Sequence, residues 1–160
     1  MGSNTIKQQE RLFFIKIYGS LWQLEQAIQA LQKIAGEQVQ LSVLGKFGED
    51  CISNTQSLMN KKKDLKEYWK GSLGDSSEFA LFCNPEIGTL FIAGSLVSQF
   101  IHDMDGKMLG EMTSGPYGIL RGLGITKKDS ALFLKALNDG SLLLILRAYD
   151  YELKRMEALL

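Results

Sequence analysis

His102 is the chain's only histidine, and it stands in His102-Asp103-Met104-Asp105-Gly106, the one place where several potential metal ligands crowd together. A calcium loop is tested by register. With Gly106 at the sixth position of such a loop, the first position is Ile101 and the twelfth is Met112, so the first ligand and the bidentate acid are both missing. One histidine beside two aspartates also lacks the helical or hairpin ligand spacing of a transition-metal site, and reads as a helix end followed by an Asp-Gly turn. No metal and no cofactor are expected. A Ser-His-Asp or Cys-His arrangement would depend wholly on His102, and Cys51 and Cys83 belong to no CxxC or Cys/His cluster. No catalytic residue is expected, and the cysteines are read as reduced, partly buried thiols.

The glycines invite a phosphate-binding reading, because backbone amides at a helix start can cradle an anion. The spacing does not comply. Gly45-Lys46 is followed by Phe47 where a phosphate loop has Ser or Thr, and Gly122-Leu123-Gly124 lacks the third glycine of a dinucleotide fingerprint. Packing and turn roles are expected instead. Phe13, Phe14 and Tyr18 could display aromatic rings to RNA on a sheet, but Ser77-Glu78-Phe79-Ala80-Leu81-Phe82-Cys83 carries none of the Arg or Lys that the partner motif needs. Lys61-Lys62-Lys63 reads as the solvated face of a helix.

The elements that hold these residues follow from periodicity. Leu12 to Tyr18 is a β-rich run ended by Gly19, and Ser20 with Gln23 has the form of a helix capping box. Leu24, Ala27, Ile28, Leu31, Ile34 and Ala35 make one helical apolar stripe, stopped at Gly36. Strict alternation in Val39 to Val43 predicts a strand reaching Phe47. Gly48 to Ser77 is polar, with Leu58, Leu65, Tyr68 and Trp69 at helical spacing, so a helical excursion laid over the body is expected. Phe79 to Ala93 predicts a strand or bent pair, Leu96 to His102 about two turns of helix, and Tyr117 to Leu123 a short helix in a Gly-rich stretch. Thr126 and Asp129 form a second capping box opening a helix to Asn138. Ser141 to Tyr149 then reads as a strand covered on both faces, with Asp150 capping a final helix.

The chain has 160 residues, 18 basic against 18 acidic, with 45% apolar residues, 16 Gly and 2 Pro. That is one domain able to bury a core without staples. The zero balance offers no broad basic field, so no nucleic-acid partner is expected. Met1 to Ile6 has neither the basic nor the apolar region of a signal peptide, so a cytoplasmic location is expected. The most apolar stretch, Phe79 to Ile101, is interrupted by Asn84-Pro85-Glu86 and is read as core, with no membrane span.

At Pro85-Glu86-Ile87-Gly88-Thr89-Leu90-Phe91-Ile92-Ala93-Gly94-Ser95-Leu96-Val97 the chain resembles the central signature of a bacterial family of unknown function that includes general stress (heat-induced stress) proteins. There the segment reads Pro-Gly-Ile-Gly-Pro-Leu-Leu-Val-Ala-Gly-Pro-Leu-Val. Lys66-Glu67-Tyr68-Trp69-Lys70 upstream, Leu120 to Ser130 downstream, and Leu137 to Leu146 are similar in kind and order. Glu86, Thr89 and Ser95 depart from the pattern, and the segment before Phe79 is more polar than the family's. The resemblance implies a stress-associated α+β protein without established catalytic residues.

The expected fold is therefore α+β, a ferredoxin-like βαββαβ sandwich over residues 12 to 160 after a flexible tail at 1 to 11. A helical excursion separates strands 2 and 3, and a Gly-rich helical segment precedes the last α-β unit. The expected role is a non-enzymatic, stress-associated binding or interaction module acting through self-association or a partner. The alternative is a small-molecule sensor or enzyme with a pocket near segment 85 to 124, for which Gly88, Gly94, His102, Gly115 and Gly118 are candidate lining residues. Both faces of the first strand are apolar, and a sandwich with one open face would expose a large patch; the excursion helix, the Gly-rich segment or a second subunit is expected to cover it, and a homodimer is expected.

Overall fold

A computed structural model of the chain describes residues 11–34, 39–49 and 56–160. In chain order the elements are β1 (Arg11–Tyr18), α1 (Leu21–Ile34), β2 (Gln40–Gly48), α2 (Gln56–Leu73), β3 (Phe79–Asn84), β4 (Gly88–Gly94) and α3 (Val97–Phe100). A two-residue pair, β5 (Asp103–Met104) and β6 (Lys107–Met108), follows, then α4 (Gly115–Gly122), α5 (Lys127–Asn138), β7 (Leu142–Tyr149) and α6 (Asp150–Glu157). The tail expected at the N-terminus lies outside the described residues as far as position 10, and Arg11 already belongs to β1.

Local signals place the helices. The Ser20 hydroxyl accepts from the Gln23 amide at 3.5 Å, and the Thr126 hydroxyl from the Asp129 amide at 3.1 Å, so the Ser/Thr half of each expected capping box forms and meets an N–H that the helix start leaves unpaired. Leu24, Ala27, Ile28 and Leu31 are the buried stripe of α1, while the stop expected at Gly36 lies outside the described residues. Two helix ends differ from expectation. Only Val97 to Phe100 is helical in the segment expected to give two turns, and Tyr149 rather than Asp150 is the residue before α6, leaving Asp150 as its first residue.

Five strands form one sheet in the order β1-β7-β2-β4-β3, with every neighbouring pair antiparallel. The class is α+β, but the strand order does not clearly match the ferredoxin-like sandwich. In that sandwich the third strand of four enters between the halves of the first β-α-β unit. Here β7, the last strand, enters there between β1 and β2, and the β3–β4 hairpin extends the sheet beyond β2. The unbroken aliphatic run of β7 suits the inner position, since Leu143 and Ile145 are buried on one face and Leu144 and Leu146 on the other.

Two cores result. On one face Ile15, Leu44, Leu90, Ile92 and Leu143 meet Phe100 of α3, Ile119 and Leu120 of α4 and Leu137 of α5. On the other, Val43, Phe91, Leu144 and Leu146 meet Leu24 and Leu31 of α1, Trp69 of α2, and Leu153 and Met156 of α6. Among the covers expected for the second face, the chain's own helices supply it. The helical excursion, α1 and the terminal helix cover one side and the Gly-rich segment with α5 the other, so the apolar alternation of β1 is satisfied within one chain. The stretch 79 to 101 is the β3–β4 hairpin and α3, and among the described residues no helix is long and apolar enough to cross a membrane.

Candidate functional site

Of the candidate pocket residues, Gly94 borders one surface cleft, and Gly88, Gly115 and Gly118 adjoin residues that border another. Gly94, at φ +107°, is where β4 passes β2 so closely that a Cβ would lie 2.2 Å from the Leu41 carbonyl oxygen. Gly88 and Gly115 are close approaches of the same kind, with a Cβ 2.4 Å from the Gly48 oxygen and 1.8 Å from the Leu109 oxygen. Chain crossing accounts for all three. Gly118 and His102 are exposed, and the His102 carbonyl accepts from the Leu109 amide at 2.8 Å, closing the small β5–β6 hairpin. In that hairpin the Asp103 carboxylate accepts from the Gly106 amide at 2.9 Å, which is the Asp-Gly turn read from the sequence. Among the described residues no group of three or more His, Cys, Asp or Glu side chains comes together. Cys83 is disulfide-bonded, which corrects its reading as a reduced thiol, and Cys51 lies outside the described residues.

Two polar residues to which the sequence assigned no structural bonds prove to be hubs. Asn84 is fully buried; its amide nitrogen donates to the Gly110 and Met112 carbonyls, both at 3.0 Å, and its oxygen accepts from the Glu86 and Ile87 amides at 3.0 and 3.2 Å. It thereby ties the β3–β4 turn to the segment before α4. Lys46, considered above as a phosphate-loop lysine, reaches the Asn138 carbonyl and side-chain oxygens at 3.1 Å and the Glu49 carboxylate at 2.7 Å. Its ammonium thus caps the negative end of α5.

Three clefts open on the surface. One, of about 480 Å³, lies where β2 begins and β4 ends, and is bordered by Gln32, Gln40, Ser77, Gly94 and Ser98. A second, of about 520 Å³, lies between the β3–β4 turn, α4 and α5, bordered by Glu86, Ile87, Ser114, Tyr117, Leu134 and Lys135. The third, of about 500 Å³, is an apolar groove between the start of α1, α2 and the sheet, walled by Leu21, Phe47, Leu65, Trp69, Phe91 and Leu142 with Lys61 and Asp64 at its rim.

The third groove is built from residues far apart in the chain. Gly45 pairs with Phe91 across β2 and β4, and a Cβ there would lie 2.4 Å from the Phe91 ring, so the missing side chain lets that ring lie flat over the strand. Trp69 then stacks on Phe91 with centroids 5.6 Å apart and 26° between planes, and Phe79 also stacks with Phe91, centroids 6.1 Å apart. Tyr68 meets Trp69 edge-on at 4.9 Å and donates its hydroxyl to the Glu25 carboxylate of α1. Burial, with that carboxylate adding to it, pushes the Tyr68 phenol up to about 12. Leu21, one of its walls, is 45% exposed, and Trp22, which follows it on α1, is 66% exposed. The helical spacing of Leu65 and Trp69 signalled a packed helix; nothing local signalled that Gly45 and Phe91 would complete a groove beneath it.

Comparison of the chain with protein-family models, with curated proteins and with solved structures gives no match.

Proposed function

We propose that the protein is a non-enzymatic binding module whose recognition surface is the aromatic groove under α2. One observation carries this reading: a cleft of about 500 Å³, walled by Phe47, Leu65, Trp69, Phe91 and Leu142, opens to solvent beside the exposed Leu21. Its size is that of a small-molecule site, for which roughly 300–1,000 Å³ is usual, and its walls are the apolar and aromatic kind that such sites have. Binding rather than catalysis is favoured because the chain's one histidine, His102, stands in solvent at a hairpin away from these walls. A stress-associated role rests on the resemblance of the Pro85 to Val97 segment.

A thermal-shift screen of apolar compounds, metals, nucleotides and metabolites tests this reading, since a ligand of the native state alone must raise stability. An apolar compound should stabilise the chain saturably, and Leu65→Glu, which puts a carboxylate in the wall, should abolish the effect. Stabilisation that survives this change would place the site elsewhere.

A second reading, a small-molecule sensor with its pocket near segment 85 to 124, is favoured by the cleft of about 520 Å³ beside Glu86, Tyr117 and Lys135. Self-association is proposed only through the edge of β1, which has β7 as its one neighbour and leaves Leu12 41% exposed. Sedimentation at micromolar concentration showing only a 17.9 kDa species would remove it. A cytoplasmic location is likewise a proposal, and the disulfide at Cys83 weighs against it because cytosolic thiols are kept reduced.

A further inference from the structure

We infer that the groove under α2 takes a single-chain amphipathic anion, an alkyl tail carrying a carboxylate, and this rests on the reading of that groove as the recognition surface. The walls supply the tail site. Phe47, Leu65, Trp69, Phe91 and Leu142 line it with apolar and aromatic surface against which methylenes pack. Polar groups reach the groove at its rim, where Lys61 and Asp64 of α2 stand.

Charge selects the head group. Residues 61 to 70 hold five lysines against two acids; Lys61 borders the groove, and Lys62 and Lys63 follow it on α2, all three exposed. Among the described residues the ion pairs are Lys46 with Glu49 and Lys154 with Asp150, so none of these three ammonium groups is neutralised by a carboxylate. Asp64 balances Lys61 at the rim itself, and the surplus of lysines over acids along residues 61 to 70 leaves the potential beside the groove positive and complementary to an anion. The whole chain has no net charge, so this is a local field and not a consequence of a basic protein. A neutral apolar ligand would leave that field unused, and a cationic one would meet repulsion.

The test is calorimetric titration of the full chain with dodecanoate below its micelle concentration, beside decanoate, octanoate and the uncharged dodecanol. Saturable binding of dodecanoate is expected, weakening about three- to fourfold for each methylene removed, as burial of that group implies. Dodecanol should bind several-fold more weakly, and the triple change Lys61→Gln, Lys62→Gln, Lys63→Gln on the exposed face should erase the difference while leaving the circular dichroism spectrum unchanged. Raised salt should narrow it too. If dodecanol binds as tightly as dodecanoate, the groove stands as an apolar site and the anionic preference falls. If neither binds, the groove reading falls with it. Dodecanoate binding that persists in Leu65→Glu would overturn the inference by placing the amphiphile outside the groove.

Discussion

Trp69 of α2 lies over Phe91 of β4, ring centroids 5.6 Å apart and 26° between planes, and Phe91 in turn lies over the bare backbone of Gly45. A helix, a strand and a glycine on the neighbouring strand are thus held in one stack. The stack sets the depth of the groove and fixes α2 on the sheet.

Gly45→Ala should therefore disturb more than one contact. Its Cβ would meet Phe91 at 2.4 Å and Leu142 at 2.7 Å, both groove walls, so the ring must tilt and carry Trp69 with it. Overpacking of this kind costs about 1–3 kcal/mol. Urea unfolding should show that loss with an unchanged slope, and the near-ultraviolet signal of the stacked aromatics should change as well. Wild-type stability in the alanine variant would mean that the ring does not lie on Gly45.

Asn84 gives a second, independent test on the opposite side of the hairpin. Asn84→Ala removes donors to two carbonyls and an acceptor for two amides in a fully buried position, with a loss of about 2–4 kcal/mol expected from the groups left unpaired. Asn84→Asp should be no better, since a carboxylate cannot donate to the Gly110 and Met112 oxygens. Equilibrium unfolding of both variants checks this, and an aspartate variant as stable as wild type would contradict the assigned hydrogen bonds.

How far such features were legible follows from their range along the chain. The Thr126 to Asp129 cap spans four positions and could be read directly, as could the doubly buried β7 from its unbroken run Leu142 to Leu146. The partner of β7 was not legible, because pairing with β1 on one side and β2 on the other is decided by which helices cover the sheet. For the same reason the apolar alternation of Phe13 to Tyr18 pointed to two buried faces but left open what buries them: α1, α2 and α6 do so on one side, α3 to α5 on the other. The groove needs Gly45, Trp69, Phe91 and Leu142 together, and no window of sequence contains them.

Tyr68 should leave a mark on stability at high pH. Its phenol is raised from 10.0 to about 12 by burial first and by the Glu25 carboxylate second. A raised value means that the folded state holds the proton more tightly, so the stabilisation is complete below pH 10 and is lost as pH rises toward 12. Tyr68→Phe should flatten that part of the stability profile relative to wild type, and an ultraviolet titration should lose its latest-ionising tyrosine. An identical alkaline profile in the two proteins would contradict the Tyr68 to Glu25 hydrogen bond.

The disulfide at Cys83 is checked by alkylation. In denaturant without reductant, mass spectrometry should find Cys83 unmodified, and modification should appear only after reduction. Ready alkylation of Cys83 before reduction would restore the reduced thiol expected from the sequence, and with it the case for a cytoplasmic protein.

The account turns on whether the aromatic groove binds. Trp22 and Trp69 are the chain's two tryptophans, and Trp22→Phe leaves the groove's own Trp69 as the sole indole reporter. Titrating this variant with dodecanoate should change the intensity and position of Trp69 emission saturably, with the midpoint found by calorimetry for the same protein. Trp69 emission that stays constant while calorimetry records binding, or an absence of binding altogether, would contradict the assignment of the groove as the recognition site.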